Sequence, residues 1–100
     1  LPKIFNLQHP VGSVLGPATY KNYLTVYNNC TVGRNSSNSK YEPYLEKNVT
    51  LRPNASVIGN SFIGENSEIS IGSTVYNQKI RKNSIYFGVP IQHHILKKFK

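Results

Sequence analysis

The chain has one hundred residues, and its twelve Lys and Arg against four Asp and Glu give a net charge of +8. This length allows a single domain, residues 1–100, and a hydrophobic fraction of 38% excludes a disordered chain. The single cysteine, Cys30, excludes an internal disulfide, and Pro10 and Pro17 keep the uncharged stretch 4–20 from being a membrane span or signal sequence. We therefore expect a cytoplasmic protein without membrane insertion. Because the first residue is Leu1, we also expect a longer parent protein of which this is the C-terminal part.

Large aliphatic residues recur at every sixth position in two frames. The upstream frame has Val14, Tyr20, Val26 and Val32, followed four positions later by Ala18, Leu24 and Cys30. The downstream frame has Leu45, Leu51, Val57, Ile63, Ile69 and Val75, followed four positions later by Val49, Ala55, Ser61, Ser67 and Ser73. A period of six fits no helix, so we expect short strands whose aliphatic residues point inward. Cys30 occupies one of these inward slots and is expected to be a small core residue.

Asparagine or glycine occupies the third position after many of the aliphatic residues. These corner positions are Asn29, Asn48, Asn54, Asn60, Asn66 and Gly72. Asn and Gly tolerate the left-handed backbone conformation better than other residues, so each six-residue unit is expected to be a strand followed by a bend. Three such units close one triangular coil, and coils stack as parallel strands about 4.8 Å apart. The sequence therefore predicts an all-β solenoid of three to four coils.

Two segments interrupt this repeat. Residues 33–44, between the two frames, are rich in Ser, Asn and Gly and predict a polar, mobile loop on the rigid coil. The repeat is expected to stop after Val75. Residues 77–100 would then form a short basic tail that holds six of the twelve basic residues and caps the open coil.

Four stretches together resemble a known family. They are HPVGSVLGPATY, VYNNCTVGRN, the repeat from YEPY to GSTV, and FGVP, and the match as a whole covers roughly residues 8–92. The order of His-x-x-Gly, loop, repeats and Gly-x-Pro resembles the catalytic half of serine acetyltransferases and related sugar and polysaccharide O-acetyltransferases. The resemblance implies a left-handed parallel β-helix, acetyl-CoA as co-substrate and a homotrimer.

In that family a histidine at the place of His9 is the general base. A neutral imidazole can take the proton of a hydroxyl as it attacks the thioester carbonyl, and the imidazolium can then protonate the CoA thiolate. This chemistry needs no covalent enzyme intermediate. Gln8 stands where serine acetyltransferases have an Asp directly before the histidine.

The acceptor side departs from the family pattern. Tyr41 and Glu42 stand where serine acetyltransferases have an Arg-His pair, and that Arg would be expected to hold an amino acid carboxylate. We expect Tyr41 and Glu42 to contact the acceptor, with Glu42 orienting His9 or binding hydroxyl groups. The main expectation is a sugar or polysaccharide hydroxyl as acceptor, and L-serine, as in cysteine biosynthesis, is the alternative.

For CoA, the resemblance implies a groove between neighbouring subunits. The matching positions are Pro53, Ile71, Tyr76, Asn77 and Gln92. Pro53 and Ile71 are one coil apart and should stack on one edge. The family often has Thr-Lys at Tyr76-Asn77 and Arg at Gln92, so Lys79 and Arg81, with Lys82, are candidates for binding the CoA phosphates instead.

Other functions fit the residues less well. A zinc-dependent carbonic anhydrase on this coil needs three converging histidines, whereas His9 is alone and His93 and His94 are adjacent in the tail. We therefore expect no metal. The net charge of +8 would suit nucleic acid, but no nucleic-acid motif accompanies it, so no such partner is expected. A non-catalytic binding or scaffold β-helix stays open as an alternative.

Overall fold

A computed structural model describes residues 5–7, 12–36 and 39–88, and within these ranges every regular element is a strand of two or three residues. The first strands are β1 (Phe5–Leu7), β2 (Val14–Leu15), β3 (Thr19–Tyr20), β4 (Leu24–Val26), β5 (Thr31–Gly33) and β6 (Tyr44–Leu45). The next are β7 (Val49–Leu51), β8 (Ser56–Ile58), β9 (Phe62–Ile63), β10 (Glu68–Ile69), β11 (Thr74–Tyr76), β12 (Lys79–Ile80) and β13 (Ile85–Tyr86).

The strands form three parallel sheets that the chain visits in turn. Sheet I stacks β1, β4, β7, β10 and β13; sheet II stacks β2, β5, β8 and β11; sheet III stacks β3, β6, β9 and β12. Each strand pairs with the strand three places later in the chain, as Val57 does with Val75. This is a triangular β-helix, and its three edges are called here the I–II, II–III and III–I corners.

The six-residue pattern of aliphatic residues is confirmed as the core. All six members of the downstream frame, Leu45, Leu51, Val57, Ile63, Ile69 and Val75, are at most 1% exposed, and Cys30 is fully buried. The prediction that Val14 points inward is wrong, because Val14 is 60% exposed on sheet II, whereas Leu15 packs against the core. The pairing of Leu15 with Val32 explains this, since it shifts the first coil by one residue from the six-residue frame.

Left-handed residues at the corners are confirmed at five of the six expected positions. Asn29, Asn48, Asn54, Asn66 and Gly72 have φ between 56° and 70°. At the remaining corner Gly59 takes the positive φ instead of Asn60. Two further asparagines, Asn77 and Asn83, adopt the same conformation at later corners. Asparagine at these bends therefore follows from the backbone conformation that each corner needs.

Beyond the first coils, coil length changes at two further places. Leu45 pairs with Ile63, a regular coil of three six-residue units later, but the step from Tyr20 to its partner Leu45 is longer, because the loop 34–43 is inserted at the II–III corner. After Val75 the coil continues, which corrects the expected end of the repeat. Ile63 pairs with Ile80, one position short of a regular coil, and β13 extends sheet I. The six-residue period does not predict these strands, because this coil is one residue shorter than the regular coils.

Candidate functional site

The inserted loop is fixed to the coil at both of its ends. Asn35, near its start, donates its side-chain amide N–H to the hydroxyl of Tyr76 at 2.8 Å. Pro43, at its end, is fully buried, and its carbonyl accepts from the amide of Thr19 at 2.9 Å. The described parts of the loop therefore lie against the II–III corner, and the polar excursion expected from the sequence is confirmed as an insertion between β5 and β6.

A cavity of ≈ 330 Å³ lies between this loop and the corner of the coil. It is lined by Asn35, Ser39, Tyr41, Gly59, Asn60 and Asn77, which offer amides and hydroxyls but no charge. Asn77 folds over Gly59 and accepts a hydrogen bond from the backbone N–H of Asn60 at 2.8 Å. The structure thus brings Tyr41, expected at the acceptor, beside Asn77, expected at CoA, and Asn35 connects this cavity to Tyr76.

An ion pair joins the two ends of the loop. Arg34 Nη2 lies 3.5 Å from Glu42 Oε1, and both side chains are about one third exposed, at 37% and 35%. The negative charge of Glu42 also acts on Tyr20, whose hydroxyl donates to the carbonyl of Gly16 at 2.7 Å. Burial, and then the charge of Glu42, raise the pKa of Tyr20 to about 12. Tyr20 is therefore neutral beside this pair and acts as a hydrogen-bond donor.

Arg34 and Asn35 are site residues that neither the six-residue repeat nor the family resemblance indicates. Both follow β5 directly and so stand where the loop leaves the coil. The available signal is their place at the start of a polar insertion, since residues at loop bases on rigid scaffolds often bind ligands.

The residues expected to bind CoA lie at different corners of the β-helix. Pro53 and Ile71 stack at the I–II corner, as expected, where the amide of Gly72 donates to the carbonyl of Pro53 at 3.0 Å. Ile71 is 69% exposed there. Tyr76 and Asn77 lie across sheet II, at the II–III corner. One chain therefore does not bring these two groups together.

Lys79 and Arg81 lie farther along the same coil, beside an aromatic pair on sheet III. The rings of Tyr44 and Phe62 stack with centroids 5.3 Å apart, and Lys79 Nζ lies 5.8 Å from the Phe62 centroid. A shallow cavity of ≈ 420 Å³ is lined here by Glu46, Phe62, Gly64, Glu65, Lys79, Ile80, Arg81 and Lys82. Its three cations suit phosphate oxygens, and its two carboxylates limit where an anion can lie.

His9 and Gln92 lie outside the described residues, as do Gln8, His93 and His94. Within the described ranges, no cluster of three His, Cys, Asp or Glu side chains is placed to hold a metal ion. The same part of the chain has no helix with the length and apolar character needed to cross a membrane. Cys30 is buried beside the carbonyl of Arg52, and burial raises the pKa of its thiol, so it is not an activated nucleophile.

Two curated proteins match most of this chain. Serine acetyltransferase of Buchnera aphidicola subsp. Schizaphis graminum is 31% identical over 97 residues, which cover 94% of this chain and 36% of that protein. Serine acetyltransferase of Synechococcus elongatus is 34% identical over 86 residues, covering 84% and 35%. The chain belongs to the hexapeptide-repeat serine acetyltransferase family. This family member spans about a third of the length of the curated relatives it matches, and no family model matches it.

Solved structures of the family have the same coil. A serine acetyltransferase from Neisseria gonorrhoeae has a TM-score of 0.79 and 28% identity, covering 89% of this chain and 37% of that one. The same enzyme in complex with serine has a TM-score of 0.73 and 25% identity, covering 89% of this chain and 38% of that one. A Brucella abortus serine acetyltransferase in complex with coenzyme A has a TM-score of 0.76 and 25% identity, covering 86% of this chain and 35% of that one. The fold of this family member is the left-handed parallel β-helix that the family resemblance implies.

Proposed function

We propose that the full-length protein transfers an acetyl group from acetyl-CoA to the hydroxyl of a small molecule, with L-serine as the acceptor. The observation that carries this proposal is the match of nearly the whole described coil to serine acetyltransferases, one of them holding coenzyme A. The main expectation from the sequence is a sugar hydroxyl, with serine as the alternative. The relatives favour the alternative, because both curated relatives described above are serine acetyltransferases and one solved structure holds serine.

In the proposed reaction His9 is the general base. Its imidazole takes the proton of the acceptor hydroxyl while the hydroxyl oxygen attacks the thioester carbonyl. The tetrahedral intermediate then collapses, the carbon–sulfur bond breaks, and the imidazolium returns the proton to the CoA thiolate. The acceptor leaves as an acetyl ester and CoA as a free thiol, so atoms and charge balance without a covalent enzyme intermediate.

The placement of the other expected residues supports a site shared between subunits. Pro53 and Ile71 at the I–II corner and Tyr76 and Asn77 at the II–III corner would line one groove only if two copies stand side by side. We therefore propose a homotrimer with one acetyl-CoA groove at each subunit boundary. Lys79 and Arg81 would hold phosphate groups of CoA beyond the II–III corner.

The test is turnover by the full-length protein with acetyl-CoA and L-serine. Release of the CoA thiol, together with O-acetylserine detected by mass spectrometry, would support the proposal. Because general-base catalysis contributes about 10²- to 10⁴-fold, His9→Ala should lower kcat by that factor and keep acetyl-CoA binding. His94→Ala is the matched control and should keep wild-type kcat. Full activity of His9→Ala would contradict the assigned role.

A second acceptor class should be tested in the same assay because of the neutral cavity under the loop. Its amides and hydroxyls, with the exposed ring of Tyr41, are the groups that bind sugar hydroxyls and the apolar face of a sugar ring. Nucleotide sugars and simple glycosides should therefore be included as acceptors. Acetyl transfer to a sugar, with none to serine, would identify a sugar as the acceptor and would still support acetyltransferase activity.

A further inference from the structure

Two Arg–Glu pairs occur in the described part of the chain, and they differ in how many of their hydrogen bonds are used. In the pair on sheet I, Arg52 Nε lies 3.0 Å from Glu68 Oε2, and Nη2 lies 3.2 Å from Glu68 Oε1. Arg52 Nη1 also donates to the Tyr27 hydroxyl at 2.8 Å, and the guanidinium lies 5.0 Å from the Tyr27 ring centroid. Both carboxylate oxygens and three guanidinium nitrogens are engaged, so this pair is closed.

The pair at the base of the loop is open by comparison. Arg34 and Glu42 share a single contact of 3.5 Å, between one nitrogen and one oxygen. That distance is long for a charge-assisted hydrogen bond, which is typically about 2.7–2.9 Å. The two pairs are similarly exposed, so exposure does not explain the difference. Four N–H groups of Arg34 and one oxygen of Glu42 have no partner among the described residues, and about one third of each side chain faces solvent.

The open pair is next in sequence to residues that line the cavity where the acceptor is expected. Arg34 precedes Asn35 and Glu42 follows Tyr41, and both of those neighbours line the cavity under the loop. The lining itself carries no charge, and the charged residues next to it in sequence are Arg34, Lys40 and Glu42. Lys40 Nζ lies 5.8 Å from the Tyr41 ring centroid.

We infer that Arg34 and Glu42 select a zwitterionic α-amino acid as the acceptor. The Arg34 guanidinium takes the carboxylate through its planar pair of N–H donors, and the Glu42 carboxylate takes the ammonium. Binding exchanges one long ion pair for two charge-assisted contacts. This inference rests on the proposed function and names the substrate class of the same site. It assigns the carboxylate to Arg34, which lies outside the Arg-His position that Tyr41 and Glu42 occupy, and the ammonium to Glu42, which lies within it.

Three acceptors that differ by one charged group test this inference in the full-length protein. L-Serine has both groups, ethanolamine lacks the carboxylate, and 3-hydroxypropionate lacks the ammonium, while all three keep a primary hydroxyl. Arg34→Gln should lower kcat/KM for L-serine and 3-hydroxypropionate about 10- to 100-fold and leave ethanolamine unchanged. Glu42→Gln should lower kcat/KM for L-serine and ethanolamine by a similar factor and leave 3-hydroxypropionate unchanged. For an analogue that binds without turnover, its inhibition constant against L-serine replaces kcat/KM.

Arg52→Gln is the matched control, because it breaks an Arg–Glu pair of similar exposure away from the cavity. It should change the three acceptors by one common factor. The inference is overturned if Arg34→Gln also lowers all three by one factor, which would make the pair a structural clasp, or if it changes none. Acetyl transfer to sugars but to none of these acceptors would overturn the inference and keep the acetyltransferase. Failure to bind acetyl-CoA and to acetylate any acceptor would instead refute the proposed function.

Discussion

At the scale of single residues, Tyr20 has an ionisation that depends on its place in the fold. Burial and the charge of Glu42 raise its pKa from 10.0 to about 12, so the folded protein favours the neutral phenol. A raised pKa contributes stability that is fully present below pH 10.0 and is lost as the pH rises through about 12.

The expected result is a free energy of unfolding that falls between pH 10 and 12 more steeply in wild type than in Tyr20→Phe. At pH 7 the variant should be less stable by roughly 0.5–1.5 kcal/mol, because it loses the hydrogen bond to Gly16. The difference in free energy of unfolding between wild type and Tyr20→Phe should become smaller as the pH rises. Urea unfolding at several pH values measures it, and two parallel curves would contradict the shift.

Gly64 is a residue whose lack of a side chain lets two coils approach. A Cβ at this position would collide with the backbone of Arg81 and Lys82 in the next coil. Gly64→Ala should therefore destabilise the protein by about 1–3 kcal/mol, the usual cost of overpacking. Gly33→Ala is the matched control, since a Cβ there meets no atom within 4 Å, and its thermal midpoint should match wild type. Equal midpoints for both variants would show that this coil relaxes freely.

At the scale of elements, the III–I corner is held by a ladder of asparagine side chains. Asn48 Nδ2 donates to Asn66 Oδ1 at 2.8 Å, and Asn66 Nδ2 donates to Asn83 Oδ1 at 2.8 Å. All three residues have positive φ, so asparagine serves both the bend and the contact between coils. Ala would lose both, whereas Gly would lose only the side-chain contacts.

Asn66→Gly should therefore destabilise the protein by roughly 1 kcal/mol, through the lost amide contacts. Asn66→Ala should cost about 1–2 kcal/mol more, because it also forces an alanine into the left-handed region. Asn60→Ala is the control, because Asn60 has no positive φ and only its backbone N–H bonds to Asn77. Chemical denaturation measures all three, and equal losses for the Gly and Ala variants would refute the conformational part of the argument.

The elements that could be predicted from the sequence are those in complete coils. From Leu45 to Val75 the coil length is constant, so each buried side chain recurs at the sixth residue. Val14 is misplaced because the first coil is shifted by one residue. The strands after Val75 are missed because their coil is one residue shorter, as the pairing of Ile63 with Ile80 shows. A six-residue period predicts which residues point inward only as long as no residue is inserted into a coil or lost from it.

At the scale of the whole molecule, the site was less predictable than the fold, because it depends on contacts between distant coils. Tyr41 and Asn77 could be named from the family resemblance, and the structure places both at one cavity. Glu42 could also be named, but its pairing with Arg34 could not, because that pairing is significant only when its geometry is compared with that of Arg52 and Glu68. Pro53 and Ile71 are separated by one regular coil of three units, so their stacking could be read from spacing alone.

The net charge of +8 over one hundred residues leads to a last prediction, on the salt dependence of acetyl-CoA binding. CoA carries several phosphate charges, and its attraction to exposed cations falls as the screening length shortens from about 10 Å at 0.1 M salt. The dissociation constant of acetyl-CoA should therefore rise steadily with salt. If Lys79, Arg81 and Lys82 hold the phosphates, replacing all three with Ala should weaken binding at least ~10-fold at low salt and flatten this dependence. Lys47→Ala, at the III–I corner, removes one exposed charge outside that cavity and should leave the slope near wild type. Calorimetric titration from low to high salt measures both, and an unchanged slope in the triple variant would place the CoA phosphates elsewhere, because long-range charge alone would then account for the salt effect.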